Sequence, residues 1–147
     1  MSLKFFAASV IARRRHNHYE VLVEDAEYAD GRKETKFAIG GMQEAIDSGN
    51  PARTARREVE QETGLKMRDH VDPRLIHELE VGEHKKFFYF MWRGNFKGSI
   101  RRKKIRDGDT ILHPPVWVDL RVLLSHPDTV VRTHRPLLNI VEELLKH

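Results

Sequence analysis

Cysteine is absent from the 147 residues. That excludes disulfides, a thiol nucleophile and any thiolate metal site, and it agrees with a reducing, cytoplasmic setting. Long apolar runs are missing as well, so no segment is expected to span a bilayer. The opening residues MSLKFFAASVIARRR hold neither a long apolar stretch nor a small-residue cleavage site. No secretory signal is expected from them. No phosphate-binding P-loop or dinucleotide fingerprint is present, because Gly40-Gly41 has the spacing of neither. No serine stands in a nucleophile elbow. A large excess of one charge sign is also lacking: 26 Lys and Arg oppose 22 Asp and Glu, a formal charge of +4. That balance admits anionic partners such as phosphates and does not by itself indicate nucleic acid.

With 39% hydrophobic and 33% charged residues, the chain suits a globular protein with one ordinary core. No repeat and no Ser/Gly/Pro-rich linker divides it, so residues 1–147 are expected to form a single domain. Phe5 to Val10 (FAASVI) and Tyr19 to Val23 (YEVLV) are strand-like, with the polar run RRRHNH between them read as a turn. Ala29 to Lys33 is read as a loop, and Lys36 to Ile39 as a short strand entering Gly40-Gly41. Asn50-Pro51 begins the clearest helix, since Asn caps free N–H groups and proline suits the first turn. Gly64 supplies its stop, and Ala52, Ala55 and Val59 form its narrow apolar stripe. Strands are expected at Pro73 to Val81 and at Lys86 to Trp92, the latter buried on both faces. Gly94 to Gly108 reads as a basic loop, Val116 to Leu120 as a short strand or turn, and Leu137 to Leu145 as a terminal amphipathic helix. The mixture favours an α/β sandwich with a mixed sheet.

The chemistry is concentrated in Gly40 to Leu65, GGMQEAIDSGNPARTARREVEQETGL. Glu58 and Glu62 are four apart on the expected helix and share a face, which Gln61 joins. Two like charges at that spacing repel, and a divalent cation turns the repulsion into attraction. Hard cations such as Mg²⁺ take oxygen ligands and keep several waters when they meet phosphates. The Gly-Gly pair lets backbone approach such a site closely, because no Cβ intervenes.

This segment resembles the Nudix box. Arg57-Glu58-Val59, one residue, Gln61-Glu62, one residue, Gly64-Leu65 matches the second half of that pattern, except that Gln61 stands where a Glu is expected. In the first half, five residues after Gly41 lead to Asp47 rather than Glu, and nine residues rather than seven separate Asp47 from Arg57. A two-residue insertion with Asp47 in place of the Glu is the simplest reading. Ile39 replaces a proline before the glycines. The order of hairpin, Gly-Gly strand, helix, aromatic strand, Trp117-x-Asp-Leu turn and terminal helix also looks like that family.

The resemblance implies a Nudix-like α/β/α sandwich. It further implies a pyrophosphohydrolase that cleaves a nucleoside diphosphate linked to another moiety, with Mg²⁺ or Mn²⁺ as cofactor. Carried over, Glu58 and Glu62 are the leading metal ligands, and Glu58 is a candidate base. Gln61 and the Gly40 carbonyl are further candidate ligands, and Arg57 orients a carboxylate. Gln61 brings no charge, so a carboxylate outside the box is a candidate to compensate: Glu78, Glu80, Glu83, Asp107 or Asp109. Glu60 lies about 100° around the helix from Gln61 and does not substitute. The alternative is a catalytically weakened module that binds nucleotide or RNA. A homodimer is common in the family, but no dimer surface is legible here.

Other features have plainer readings. Arg101-Arg102-Lys103-Lys104 is expected to be a solvated loop before it is a phosphate or RNA contact. The aromatic residues from Phe87 to Trp92 are expected in the core. His16, His18 and His84 are expected at the surface.

Overall fold

The computed structural model describes residues 4–68, 73–94 and 96–146. In chain order the strands and helices are β1 (Lys4–Arg15), β2 (His18–Glu27), β3 (Lys33–Lys36), β4 (Ile39–Met42), α1 (Pro51–Thr63), β5 (Leu65–Met67) and β6 (Arg74–Val81). They continue with β7 (Lys85–Arg93), β8 (Phe96–Gly98), β9 (Ile105–Asp107), β10 (Thr110–Leu112), β11 (Val116–Asp119), α2 (Leu120–Ser125) and α3 (Arg135–Leu145). Two compact units share them: Met1–Ile11 with Ala38–Ser99, and Ala12–Phe37 with Ile100–His147. No helix among the described residues is long and apolar enough to cross a membrane.

In the first unit β1 lies between β7 and β4, and β6 pairs antiparallel with β7. β4 pairs antiparallel with β1, setting Ala7 opposite Gly41 and Ala8 opposite Gly40. α1 forms where its end signals stand. Asn50 Oδ1 accepts the Ala52 N–H at 2.9 Å, Pro51 follows, and Gly64 closes the helix at φ +84°. The helix buries Ala55 and Val59. Ala7, Ala55 and Phe90 form a core cluster on which Ala52 and Phe88 pack. Strand alternation divides the aromatics of β7. Phe88 and Phe90 serve this core, while Phe87 stacks on Phe6 with centroids 4.9 Å apart. Tyr89 to Trp92 are buried, whereas Phe87 and Phe88 are only half-buried, so burial on both faces holds for the second half of β7.

In the second unit β2 is the hub, pairing with the end of β1 and with β3, β10 and β11. The arginine run expected as turn is strand: β1 continues through Arg15, opposite His18. Cross-strand partners explain this, since Arg13 pairs with Glu20 at 2.8 Å and its guanidinium lies 4.1 Å from the Trp117 ring. The turn shrinks to His16 and Asn17, with His16 at φ +54°, as a two-residue hairpin requires.

Two further expectations are corrected, and one helix is added. Gly94 to Gly108 holds β8 and β9 rather than a continuous loop. Lys36 to Ile39 is not one strand; it spans the end of β3 and the start of β4. A helix, α2, starts at Leu120 because Asp119 Oδ1 accepts the Arg121 N–H at 2.9 Å.

Candidate functional site

The candidate site lies wholly in the first unit and is organised by Arg57. Its Nε donates to Asp47 Oδ1 at 3.0 Å and its Nη2 to Asp47 Oδ2 at 2.9 Å. This is the two-point fit that a guanidinium makes with a carboxylate. Nη2 also donates to the Met42 carbonyl at 3.0 Å, and Nη1 to Glu58 Oε1 at 3.0 Å and Gln61 Oε1 at 3.1 Å. One side chain thus ties the Gly-Gly strand, the loop before α1 and the outward face of α1 together.

Asp47 is buried and held from two more directions. Its Oδ2 accepts the Glu44 N–H at 2.8 Å and the Thr54 hydroxyl at 2.7 Å. The Arg57 guanidinium, aided by those donors, keeps its carboxyl well below the usual carboxylate range. Asp47 also raises the pKa of Arg57 further. The insertion is accommodated in the loop by Ser48 and Gly49, which take φ of +53° and +72°. Asp47 therefore meets Arg57 although nine residues separate them.

Glu58 behaves differently. Burial pushes its pKa up, Arg57 opposes this, and the charges of Glu62 and Glu44 push it up again. Glu58 and Glu62 are thus electrostatic neighbours, as their four-residue spacing predicts. Glu62 is buried at the last turn of α1. Gly41 fits against Glu58, since a Cβ there would fall 2.7 Å from the Glu58 carboxylate. Gly40 fits against β1, where a Cβ would fall 2.0 Å from the Ala7 carbonyl oxygen.

Of the expected site residues, Arg57, Glu58 and Gln61 are brought into direct contact. Glu62 joins them through its effect on Glu58, and Gly40 sits one residue from the glycine that faces Glu58. The sequence reading missed Glu44, whose Oε2 lies 3.5 Å from Arg57 Nη1; its place three residues after Gly41 was the available signal. Glu78 instead pairs with Lys86 at 3.2 Å, and Glu83 lies 3.8 Å from His84 in an exposed turn. Glu80 belongs to β6, and Asp107 and Asp109 belong to the second unit.

His18 lies 3.9 Å from Asp119, and His16 occupies the hairpin turn. Arg101 corrects the solvated reading of the basic run: it reaches buried Glu24 at 2.6 Å and the His113 carbonyl at 3.2 Å. Among the described residues, no group of three or more His, Asp or Glu side chains is arranged to hold a metal ion. Glu58 and Glu62, one turn apart on α1, are the two carboxylates that a divalent cation would meet here. That fits Mg²⁺, which is usually held by one or two carboxylates together with substrate phosphates.

No family model matches the chain, and no curated protein sequence does. Solved structures do. The NUDIX domain of Shewanella oneidensis NrtR, solved with ADP ribose, is similar over 99% of this chain and 89% of its own, with a TM-score of 0.67 at 12% identity. The chain has the Nudix fold. An Ap4A hydrolase from C. elegans, a binary complex, is similar over 98% of both chains, with a TM-score of 0.63 at 17% identity. A MutT NUDIX hydrolase from Burkholderia pseudomallei is similar over 93% of this chain and 98% of its own, with a TM-score of 0.59 at 18% identity. The α/β class with a mixed sheet and helices, expected from the sequence, is that of these Nudix structures.

Proposed function

We propose that this chain is a Nudix-type pyrophosphohydrolase, cutting the bond between phosphates of a nucleoside diphosphate linked to another moiety. The observation that carries this reading is the Arg57 network, which holds Glu58 against Gly41, with Glu62 one turn further along α1. Two like charges one turn apart on a helix repel, and a divalent cation relieves that repulsion. Glu58 and Glu62, with the Gly40 carbonyl, would hold Mg²⁺ or Mn²⁺. When bound, that ion offsets diphosphate charge, polarises P–O bonds and makes a water easier to ionise.

The chain's own residues have distinct roles in this reading. Glu58, half-buried and oriented by Arg57, is the candidate base that accepts a proton from the attacking water. Arg57 is a positioning residue, since its donors are directed at Asp47, Glu58, Gln61 and Met42. Gly41 leaves the space that the Glu58 carboxylate occupies. Nucleotide compounds are the substrate class, supported by the ADP ribose in the NrtR structure and by the Ap4A hydrolase likeness.

The test is a screen of nucleoside triphosphates, dinucleoside polyphosphates, nucleotide sugars and ADP-ribose, with Mg²⁺, Mn²⁺ or chelator, read by product mass. Metal-dependent cleavage between phosphates is expected, with loss on the order of 100-fold or more in Glu62→Gln. Unchanged activity in a folded Glu62→Gln protein removes Glu62 from the mechanism. The neutral Gln61 favours a second reading, a module that binds nucleotide without turnover; saturable nucleotide binding with no product at either metal would select it.

A further inference from the structure

Gln61 leaves the outward face of α1 with two charges, Glu58 and Glu62, where the Nudix pattern carries three acids. The fold brings a third carboxylate there from another element. Arg57 Nη1 lies 3.5 Å from Glu44 Oε2, and it donates to Glu58 Oε1 at 3.0 Å and to Gln61 Oε1 at 3.1 Å. Glu44, Glu58 and Gln61 thus meet at one nitrogen, although Glu44 comes from the loop after β4. Burial, then the charges of Glu62 and Glu44, push the Glu58 pKa up, so Glu44 is within electrostatic reach of Glu58. The Glu44 side chain is 61% exposed, against 18% for Glu58, and its contact with Arg57 is the longest of the three. It therefore keeps rotamer freedom that Glu58 has lost. A separate observation lies beside it. Gln43 Oε1 is buried and has no hydrogen-bond partner among the described residues. The Gln43 N–H continues the ladder of β4 by bonding to the Phe5 carbonyl at 3.1 Å. Residue 43 is therefore on the side of the strand that Gly41 turns to Glu58. A buried oxygen without a donor suits a cation or a water held to one.

We propose that Glu44 supplies the charge missing at Gln61, as a third carboxylate toward the divalent ion beside Glu58 and Glu62. This rests on the metal-dependent reading given above. It adds an acid from outside the helix, delivered by the loop that Arg57 ties to α1. The charge count of the site is then three, and affinity for a hard cation follows the number of anionic oxygens offered to it.

The experiment is equilibrium titration of the full chain with Mn²⁺, read by the electron paramagnetic resonance of free Mn²⁺. Glu44→Gln is expected to weaken Mn²⁺ binding about tenfold with an unchanged midpoint of urea unfolding. Glu83→Gln removes an equal charge from an exposed turn and should stay within about twofold of wild type, because solvent and salt screen it. Adding Gln61→Glu to Glu44→Gln returns an acid to the helix face and should restore affinity to within about threefold of wild type. If Glu44→Gln binds Mn²⁺ as wild type does while Glu62→Gln is weakened, this inference fails and the metal-dependent reading stands. It fails equally if Glu83→Gln loses as much as Glu44→Gln, or if Gln61→Glu restores nothing, since Glu44 then acts through net charge or through Arg57. If wild-type protein retains no Mn²⁺, the metal-dependent reading fails with it.

Discussion

Arg57 and Arg101 are each nearly buried, with 13% and 12% of the side chain exposed, and each meets a carboxylate removed from water. Arg57 meets Asp47 in the first unit; Arg101 meets Glu24 in the second. Their remaining donors separate them. Arg101 goes on to the carbonyls of Lys103 and His113, which fastens backbone to backbone. Arg57 goes on to Glu58 and Gln61, side chains able to meet a ligand. The same ion-pair chemistry thus fastens backbone in one unit and, in the proposed reading, positions side chains in the other. Arg57 also reaches the Met42 carbonyl, so what decides is whether any spare donor ends on a group that can act.

Breaking either pair should be costly, because one buried charge is left uncompensated. Arg57→Met is expected to destabilise by about 4 kcal/mol in urea unfolding and also to abolish hydrolysis by the fraction still folded. Arg101→Met is expected to cost about 3 kcal/mol while the folded fraction keeps its kcat and KM. Loss of kcat in folded Arg101→Met protein would erase the distinction.

The two glycines sharpen the comparison within the first unit. Gly40→Ala drives a Cβ into the β1 backbone and should cost about 3 kcal/mol, at the upper end for overpacking. Gly41→Ala meets the end of a flexible side chain, so its cost should stay near 1 kcal/mol while displaced Glu58 lowers kcat. Equal stability losses in the two variants would contradict these packing assignments.

Acid separates the units by pH. His134 of the second unit accepts the Phe37 N–H at Nδ1, and burial holds its pKa down to about 3, from 6.5. The unfolded chain therefore binds more protons between those values, and stability falls as pH drops from about 6.5 toward 3. The loss is about 2 kcal/mol at pH 5. Asp47 has the opposite chemistry with the same outcome. Its depressed carboxyl stabilises above its unfolded value of 3.8 and loses that contribution as pH falls below it. Unfolding measured against pH should flatten above pH 4 in His134→Gln, and only below pH 4 in Asp47→Asn. The smallest effect is expected at Arg102, an exposed neighbour of Arg101. Arg102→Ala should change stability by less than about 0.5 kcal/mol.

Much of α1 was legible because its signals are local. Asn50, Pro51 and Gly64 act within one turn, and the spacing of Glu58 and Glu62 follows from helix geometry. Asp47 was legible by position, while its contacts with Thr54 and the Glu44 N–H were not, because they depend on how the loop folds back. Glu44 was passed over for the same reason. The strand character of Arg13 to Arg15 was hidden as well, since polarity suggested a turn and the stabilising partners Glu20 and Trp117 lie on other strands.

The sequence by itself determined the capped helix, the shared face of its two glutamates, the absence of thiol chemistry and the Nudix likeness of the box. These depend on residues a few positions apart, where chain geometry leaves little choice. Tertiary structure alone decided that Glu44 lies beside Arg57, that Asp47 meets Thr54 and the Glu44 N–H, and that Arg101 leaves a basic run to neutralise Glu24. Those outcomes depend on which distant groups are desolvated together, and a buried charge must find its partner wherever the fold brings one within reach.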